Sequence, residues 1–85
     1  MTVLIPTPLR SYTGARLVEA SGATLGEVLA DLDRMFPGIR FRMIDEQGGA
    51  RPHLRFFVDG EQVFDLSRPV RAGGELQIVQ ALSGG

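Results

Sequence analysis

The stretch TLGEVLADLDRMFPG, residues 24–38, determines the fold class of this 85-residue chain. Thr24 and Glu27 match a capping box, in which the threonine accepts a hydrogen bond from the third helical amide and the glutamate reaches back. Hydrophobic residues then recur at steps of three and four, which puts them on one helix face: Leu25, Val28, Leu29, Leu32, Met35 and Phe36. Pro37-Gly38 ends the helix. A single helix with one apolar face requires a sheet to cover that face.

Two short strands are predicted before this helix. Residues 2–5 form the first, which closes at Pro6 and Pro8 because proline lacks the amide hydrogen that a strand ladder needs. Residues 15–21 form the second, and Gly14 is the expected turn residue between them. A short connection between neighbouring strands indicates an antiparallel hairpin.

Three more extended segments follow the helix. Residues 38–53 read as a polar crossing, whose apolar side chains are expected to pack beneath it: Ile39, Phe41, Met43 and Ile44. Residues 54–63 predict a strand, an Asp59-Gly60 turn and a short continuation. A further short strand or turn is expected around Val70, and Gly73-Gly74 is expected to reverse the chain into a last strand at residues 75–80.

This order of elements is typical of an α+β domain, the ubiquitin-like β-grasp, in which a mixed sheet of four to five strands packs on one main helix. By analogy with that fold, the first and last strands lie parallel at the sheet centre. Residues 1–80 then form the domain, and residues 81–85 form a flexible tail that ends in Gly-Gly.

The composition argues against several functions. A formal charge of −1 gives no basic footprint for nucleic acid or for an anionic membrane surface. The chain has no cysteine, which excludes disulfides and thiolate metal sites. All nine basic residues are arginines, so the chain has no lysine that accepts another protein's tail, although its own tail can be joined elsewhere.

The N-terminal stretch MTVLIPTPLR has no basic leader, and its apolar run breaks at Pro6. A signal peptide is therefore not predicted. No stretch approaches the length of a membrane span, and we expect a cytoplasmic location.

Strand alternation predicts an apolar patch on the sheet face that points away from the helix. Side chains alternate between the two faces of a strand, so burial of one set turns the next set outward. On this basis Leu4, Phe57 and Val79 lie on the open face of neighbouring strands. A contiguous trio of this kind marks a docking surface. The alternative is that the segment 39–53 folds over it.

The polar residues give no catalytic pattern. His53 has no partner at a recognised spacing and is interpreted as a surface or loop residue. Asp31 and Asp33 are interpreted as solvation of the helix. Asp45 and Glu46 lack the pattern of a calcium-binding loop, and Ser11 and Ser83 have no neighbouring base. The glycine pairs at 48–49 and 73–74 lack the strand-to-helix setting that a phosphate loop requires. We therefore expect no metal site and no enzyme activity.

The tail remains as the candidate functional group. Glycine loses more conformational freedom on ordering than any other residue, so Gly84 and Gly85 are poor anchors for a terminus. Two interpretations stay open: an ordinary frayed end, or a carboxylate that reaches into another protein.

Four stretches together carry a family resemblance: IPTPLR, the following TG, SGATLGEVLADLDRMFPGI and IVQALSGG. On these stretches the chain resembles the ThiS/MoaD family of ubiquitin-like sulfur carriers, and within it the subgroup that serves cysteine and secondary-metabolite pathways. The resemblance covers nearly the whole chain. Two features depart from the pattern, namely Phe57 and Gly60 in the third strand region and the tail sequence ALSGG.

The resemblance implies a protein co-substrate. In the family, a ubiquitin-activating-type adenylyltransferase uses ATP to adenylate the last glycine, and a sulfur donor then leaves a thiocarboxylate that a synthase accepts. This implies that Gly85 carries the reacting carboxylate and that Gly84 lets the tail enter a narrow channel. Partner contacts are expected from Ala81, Leu82 and Ser83, together with the outer trio. No bound cofactor is implied, and ATP belongs to the partner.

Three other functions remain open at this point. The chain is alternatively the small subunit of a molybdopterin synthase, a ubiquitin-like protein modifier, or a β-grasp interaction module with an inert tail.

Overall fold

A five-stranded mixed sheet forms the body of the computed structural model, which describes residues 1–81. Its strands are β1 (Thr2–Leu4), β2 (Leu17–Glu19), β3 (Leu54–Val58), β4 (Glu61–Val63) and β5 (Glu75–Gln80). Their order across the sheet is β2-β1-β5-β3-β4. β1 and β5 run parallel, and every other neighbouring pair is antiparallel. The predicted β-grasp arrangement, with the first and last strands parallel in the middle, is confirmed.

The main helix α2 (Leu25–Met35) begins and ends where the sequence predicts. The Thr24 hydroxyl accepts a hydrogen bond from the Glu27 amide at 3.2 Å, and the Glu27 carboxylate accepts one from the Ala23 amide at 3.0 Å. These bonds satisfy amides that a helix start leaves without partners. Gly38 adopts a φ of 96° just beyond the helix, a conformation that glycine tolerates best.

The face of α2 that packs on the sheet is the one that periodicity indicated. Four of its side chains are buried: Leu25, Val28, Leu29 and Leu32. From the sheet, alternate residues of β3 and β5 join the same core, because Leu54, Phe56, Val58, Leu76 and Ile78 all point toward the helix. The alternation assigned from sequence to both strands is confirmed.

Two connections contain helical turns that the sequence analysis did not predict. The β1–β2 connection holds a 3₁₀ turn (Thr7–Leu9) and α1 (Arg10–Thr13), which ends at the left-handed residue Gly14. The crossing after α2 holds α3 (Ile39–Met43), and Ile39, Met43 and Ile44 are buried as expected. The expectation that Phe41 packs into the core is wrong, since its side chain is 60% exposed.

The aspartates of α2 bind backbone groups, so their interpretation as simple solvation is also wrong. The Asp31 carboxylate accepts a hydrogen bond from the Ser21 amide at 2.9 Å and pairs with Arg34. The Asp33 carboxylate accepts bonds from the amides of Gly38 and Arg40, both at 3.1 Å. Each aspartate therefore attaches the helix to a flanking loop.

The Asp59-Gly60 turn between β3 and β4 has positive φ at both residues, 49° and 85°. This is the pattern of a type I′ turn, whose twist matches that of the strands. The Asp59 carboxylate also accepts a hydrogen bond from the Glu75 amide at 3.0 Å and pairs with Arg71. Near Val70 the predicted short strand is reduced to an isolated bridge between Thr24 and Pro69.

Three aspartates link the stability of the fold to pH. A hydrogen bond from a backbone amide holds the pKa of each below its ordinary value of 3.8. The donors are the Ser21 amide for Asp31, the Glu75 amide for Asp59 and the Ser67 amide for Asp65. A second hydrogen bond adds to the effect, from Arg34 to Asp31, from Arg71 to Asp59 and from the Ser67 hydroxyl to Asp65. A carboxyl with a lower pKa in the folded state binds protons more weakly there than in the unfolded chain. Its stabilising contribution is therefore complete at neutral pH and is lost as the pH falls through and below 3.8.

We therefore expect the urea midpoint to stay level from about pH 7 to about pH 5 and to fall steadily below about pH 4. Asp59→Asn removes one of the three carboxyls whose pKa is lowered, so the urea midpoint of this variant is expected to fall less steeply with acidification. A midpoint that rises on acidification, or a slope that Asp59→Asn leaves unchanged, contradicts this assignment.

Within residues 1–81 no helix is long and apolar enough to cross a membrane. The same part of the chain brings no three potential metal-ligating side chains together.

Candidate functional site

The tail leaves the domain from the central strand of the sheet. β5 ends at Gln80, and the exposed Ala81 that follows donates its amide to the His53 carbonyl at 2.8 Å. Its attachment point is thus held by β3, whose Leu54 stands opposite Gln80, whereas β1 pairs only with residues 75–77 of β5. The predicted functional residues Leu82, Ser83, Gly84 and Gly85 lie outside the described residues, and their roles stay predictions.

The outer face of the sheet, which points away from α2, carries the predicted trio. Leu4, Phe57 and Val79 are each partly exposed. Leu4 and Phe57 both stand opposite Gln77 of β5, so this amide lies between the two apolar side chains. The trio therefore shares one face, as alternation predicted, but a polar residue divides it.

Leu17 extends this surface and was missed as a site residue. It stands directly opposite Leu4 in the β1–β2 pair and is 47% exposed. The signal was present in the sequence, because the inward orientation of its neighbour Val18 turns Leu17 outward. We call Leu4, Leu17, Phe57 and Val79 the outer-face patch.

The segment 39–53 places its apolar side chains elsewhere. Ile39, Met43 and Ile44 belong to the hydrophobic core beneath α2. The members of the outer-face patch keep part of their surface exposed, with Leu17 the most exposed at 47%. The alternative in which this segment covers the trio is therefore not what the structure shows.

A cleft of about 610 Å³ lies beside the base of the tail. Its walls come from the β1–β2 connection and from α3 with the loop that follows, and Gln80 contributes from the end of β5. His53 lines it and is half-buried, which agrees with its interpretation as a loop residue. The hydrogen bond to the Tyr12 hydroxyl raises the pKa of Arg42 above its already high ordinary value.

The family comparison decides what kind of domain carries these surfaces. The model of the ThiS family matches residues 3–85. This chain belongs to the ThiS family. The match extends to the final glycine and so includes the tail that the sequence analysis singled out.

The most similar relatives include sulfur carriers. The sulfur carrier protein CysO of Mycobacterium tuberculosis (strain H37Rv) is 36% identical over 91 residues, which covers 100% of this chain and 98% of that protein. A chain in the crystal structure of the Amycolatopsis orientalis BexX/CysO complex matches with a TM-score of 0.91 at 36% identity, covering 99% of this chain and 98% of that one. The crystal structure of SAMP1 from Haloferax volcanii matches with a TM-score of 0.81 at 28% identity, covering 100% and 98%.

These comparisons confirm both the family and the fold that the sequence predicted. The CysO relative is a sulfur carrier protein, in agreement with the interpretation that the chain is a carrier and not an enzyme. One of the relatives named above is seen in complex with another protein, BexX.

Proposed function

We propose that this chain is a sulfur carrier whose C-terminal glycine is adenylated by a ubiquitin-activating-type enzyme and then converted to a thiocarboxylate. The thiocarboxylate donates sulfur to a synthase in a biosynthetic pathway, such as that of cysteine, thiamin or a secondary metabolite. The family match through Gly85, together with relatives that are sulfur carriers, is the observation that carries this proposal.

The proposed chemistry explains why the reacting group is a terminal glycine. A carboxylate is a poor electrophile, because direct substitution would expel oxide. Attack of its oxygen on the α-phosphorus of ATP releases pyrophosphate and gives an acyl adenylate. Hydrosulfide then attacks the acyl carbon and AMP leaves, which gives the thiocarboxylate directly. If a persulfide attacks instead, AMP leaves an acyl disulfide, and a thiol cleaves its S–S bond to give the thiocarboxylate and a disulfide. Gly85 has no Cβ, so both faces of its carbonyl are open to that attack.

ATP–pyrophosphate exchange tests the first step directly. With a ThiS-family activating enzyme, the native chain is expected to stimulate exchange. A semisynthetic chain that ends in a carboxamide at Gly85 provides the matched control, because the amide cannot displace pyrophosphate. Equal exchange with both chains would show that the terminal carboxylate is not the group that reacts.

The outer-face patch is the proposed docking surface for the activating enzyme. An aromatic side chain on an accessible sheet face is typical of residues that dominate binding energy. We expect Phe57→Asp to weaken binding by about 2 kcal/mol, or roughly thirtyfold, because it places a charge in an apolar contact. The concentration dependence of pyrophosphate exchange measures this loss.

Phe64→Asp is the control for that experiment. Phe64 is 83% exposed and lies outside the patch, so the same substitution there adds the same charge to a different surface. Thermal unfolding of both variants establishes that the fold is retained. An unchanged half-saturating concentration for Phe57→Asp removes the patch from the proposal.

A protein-modifier role is the second candidate, favoured by the likeness to SAMP1, whose fuller name in a related structure is small archaeal modifier protein 1. In that role the activated Gly85 forms an amide with a target lysine. Tagged chain expressed in cells then produces higher-mass conjugates on a denaturing gel. Absence of such conjugates, with the thiocarboxylate present, favours the carrier.

A further inference from the structure

Two arginines in the cleft beside the tail are held in place through one nitrogen each. The Arg42 Nε donates to the Tyr12 hydroxyl at 2.8 Å, and the Arg51 Nε donates to the Phe41 carbonyl at 2.7 Å. The Arg51 guanidinium also stacks over the Phe41 ring, 4.7 Å from its centroid. Fixing Nε in this way orients the planar guanidinium, whose two terminal nitrogens suit bidentate binding of a carboxylate.

These guanidiniums are not neutralised by the described part of the chain. The four ion pairs found within residues 1–81 involve Met1, Arg34, Arg68 and Arg71, and none includes Arg42 or Arg51. Glu46 also lines the cleft but makes no ion pair with either arginine there. Two cations therefore face one carboxylate in this cleft.

The cleft also holds a buried acceptor without a donor. The Oε1 atom of Gln80 is buried and has no hydrogen-bond partner among residues 1–81. With less than 1 Å² of its surface exposed, this atom is closed to a ligand, so Gln80 contributes to the cleft as part of its wall. Gln80 follows Leu76 and Ile78 on the inward side of β5, which directs it toward the cleft wall formed by α3.

We propose that this cleft binds an acidic segment of a partner protein. A glutamate or aspartate carboxylate of the segment is held by Arg42 and Arg51, and an apolar side chain covers Phe41, which is 60% exposed. A peptide supplies the anion and the apolar contact together. Because Ala81 is attached at the rim through His53, the segment belongs to a protein that binds beside the tail.

Peptide titration of the full chain, followed by NMR, tests this proposal without ATP or sulfur chemistry, so its outcome is independent of the carrier function. The probe is an N-acetylated, C-amidated triglutamate peptide, and the comparison peptide is triglutamine. We expect triglutamate to shift the Arg42 and Arg51 Nε–H signals and the Gln80 side-chain amide with a Kd of about 1 mM, and triglutamine to leave them in place.

Charge-matched variants establish where the peptide binds. Arg42→Gln with Arg51→Gln is expected to weaken triglutamate binding about tenfold or more. Arg34→Gln with Arg68→Gln also removes two positive charges, but from arginines that already pair with Asp31 and Glu61. This control is expected to change the Kd of triglutamate less than about twofold.

Three results would overturn the proposal. Equal weakening in both double variants would show only a nonspecific charge effect. Binding of acetate as tight as that of the peptide would indicate a site for small anions and not for a protein segment. Peptide binding that tightens about tenfold on removal of residues 82–85 would identify the chain's own tail as the occupant.

Discussion

Removal of Gly84 and Gly85 is expected to abolish sulfur loading while leaving the fold intact. Two residues of extended chain span about 7 Å, so the truncated carboxylate stops that far short of the α-phosphorus of ATP. A misplacement of about 1 Å already costs about a hundredfold in rate, and the loss here is expected to exceed about a thousandfold. Single-turnover adenylate formation with an activating enzyme measures it.

Two controls separate this effect from damage to the domain. The truncation lies beyond β5 and is expected to leave the urea midpoint unchanged. Gly73→Ala removes a glycine at a position where an added Cβ lies 3.8 Å from its nearest neighbour, an ordinary contact, and is expected to load normally. A truncated chain that loads within about tenfold of the native rate would leave the tail without a chemical role.

Phe56→Ala is expected to destabilise the domain by about 3–5 kcal/mol. Phe56 is 2% exposed and stands between Ile78 and Val63 on the inner face of the sheet, so the truncation leaves a cavity beneath α2. A domain of this size has a free energy of unfolding of about 5–12 kcal/mol, of which this is a large share. Urea denaturation measures the change, and the melting temperature is expected to fall by roughly 15–30 °C.

Phe64→Ala is the matched control. The Phe64 ring is 83% exposed, so its removal is expected to change the free energy of unfolding by less than about 0.5 kcal/mol. Similar losses at the two phenylalanines would mean that strand alternation places the core on the wrong residues.

Local sequence patterns predicted the parts of the fold that depend on neighbours along the chain. The capping box at Thr24, the apolar face of α2 and the Asp59-Gly60 turn each rest on interactions within a few residues, and all three are confirmed. Alternation likewise separated the two faces of β3 and β5. The parallel pairing of β1 with β5 came from the resemblance to a known fold, because periodicity carries no information on strand order.

The cleft was not predictable because tertiary contacts create it. Tyr12 and Arg42 are 30 residues apart and meet only when the β1–β2 connection packs against α3. The exposed Phe41 fits an apolar pattern in sequence but stacks beneath Arg51 at the surface. The sequence likewise did not indicate why residue 22 is a glycine. In the fold, a Cβ at Gly22 would lie 2.7 Å from the Val28 amide nitrogen, which is too close for any other residue without a shift of the backbone.

The intact mass of the chain after incubation with ATP, a sulfide source and a ThiS-family activating enzyme tests the central claim most directly. We predict a gain equal to the replacement of one oxygen atom by sulfur, located by fragmentation at Gly85 and absent when ATP is omitted. An unchanged mass with an enzyme that loads other carriers, or sulfur attached at any other residue, would contradict the account.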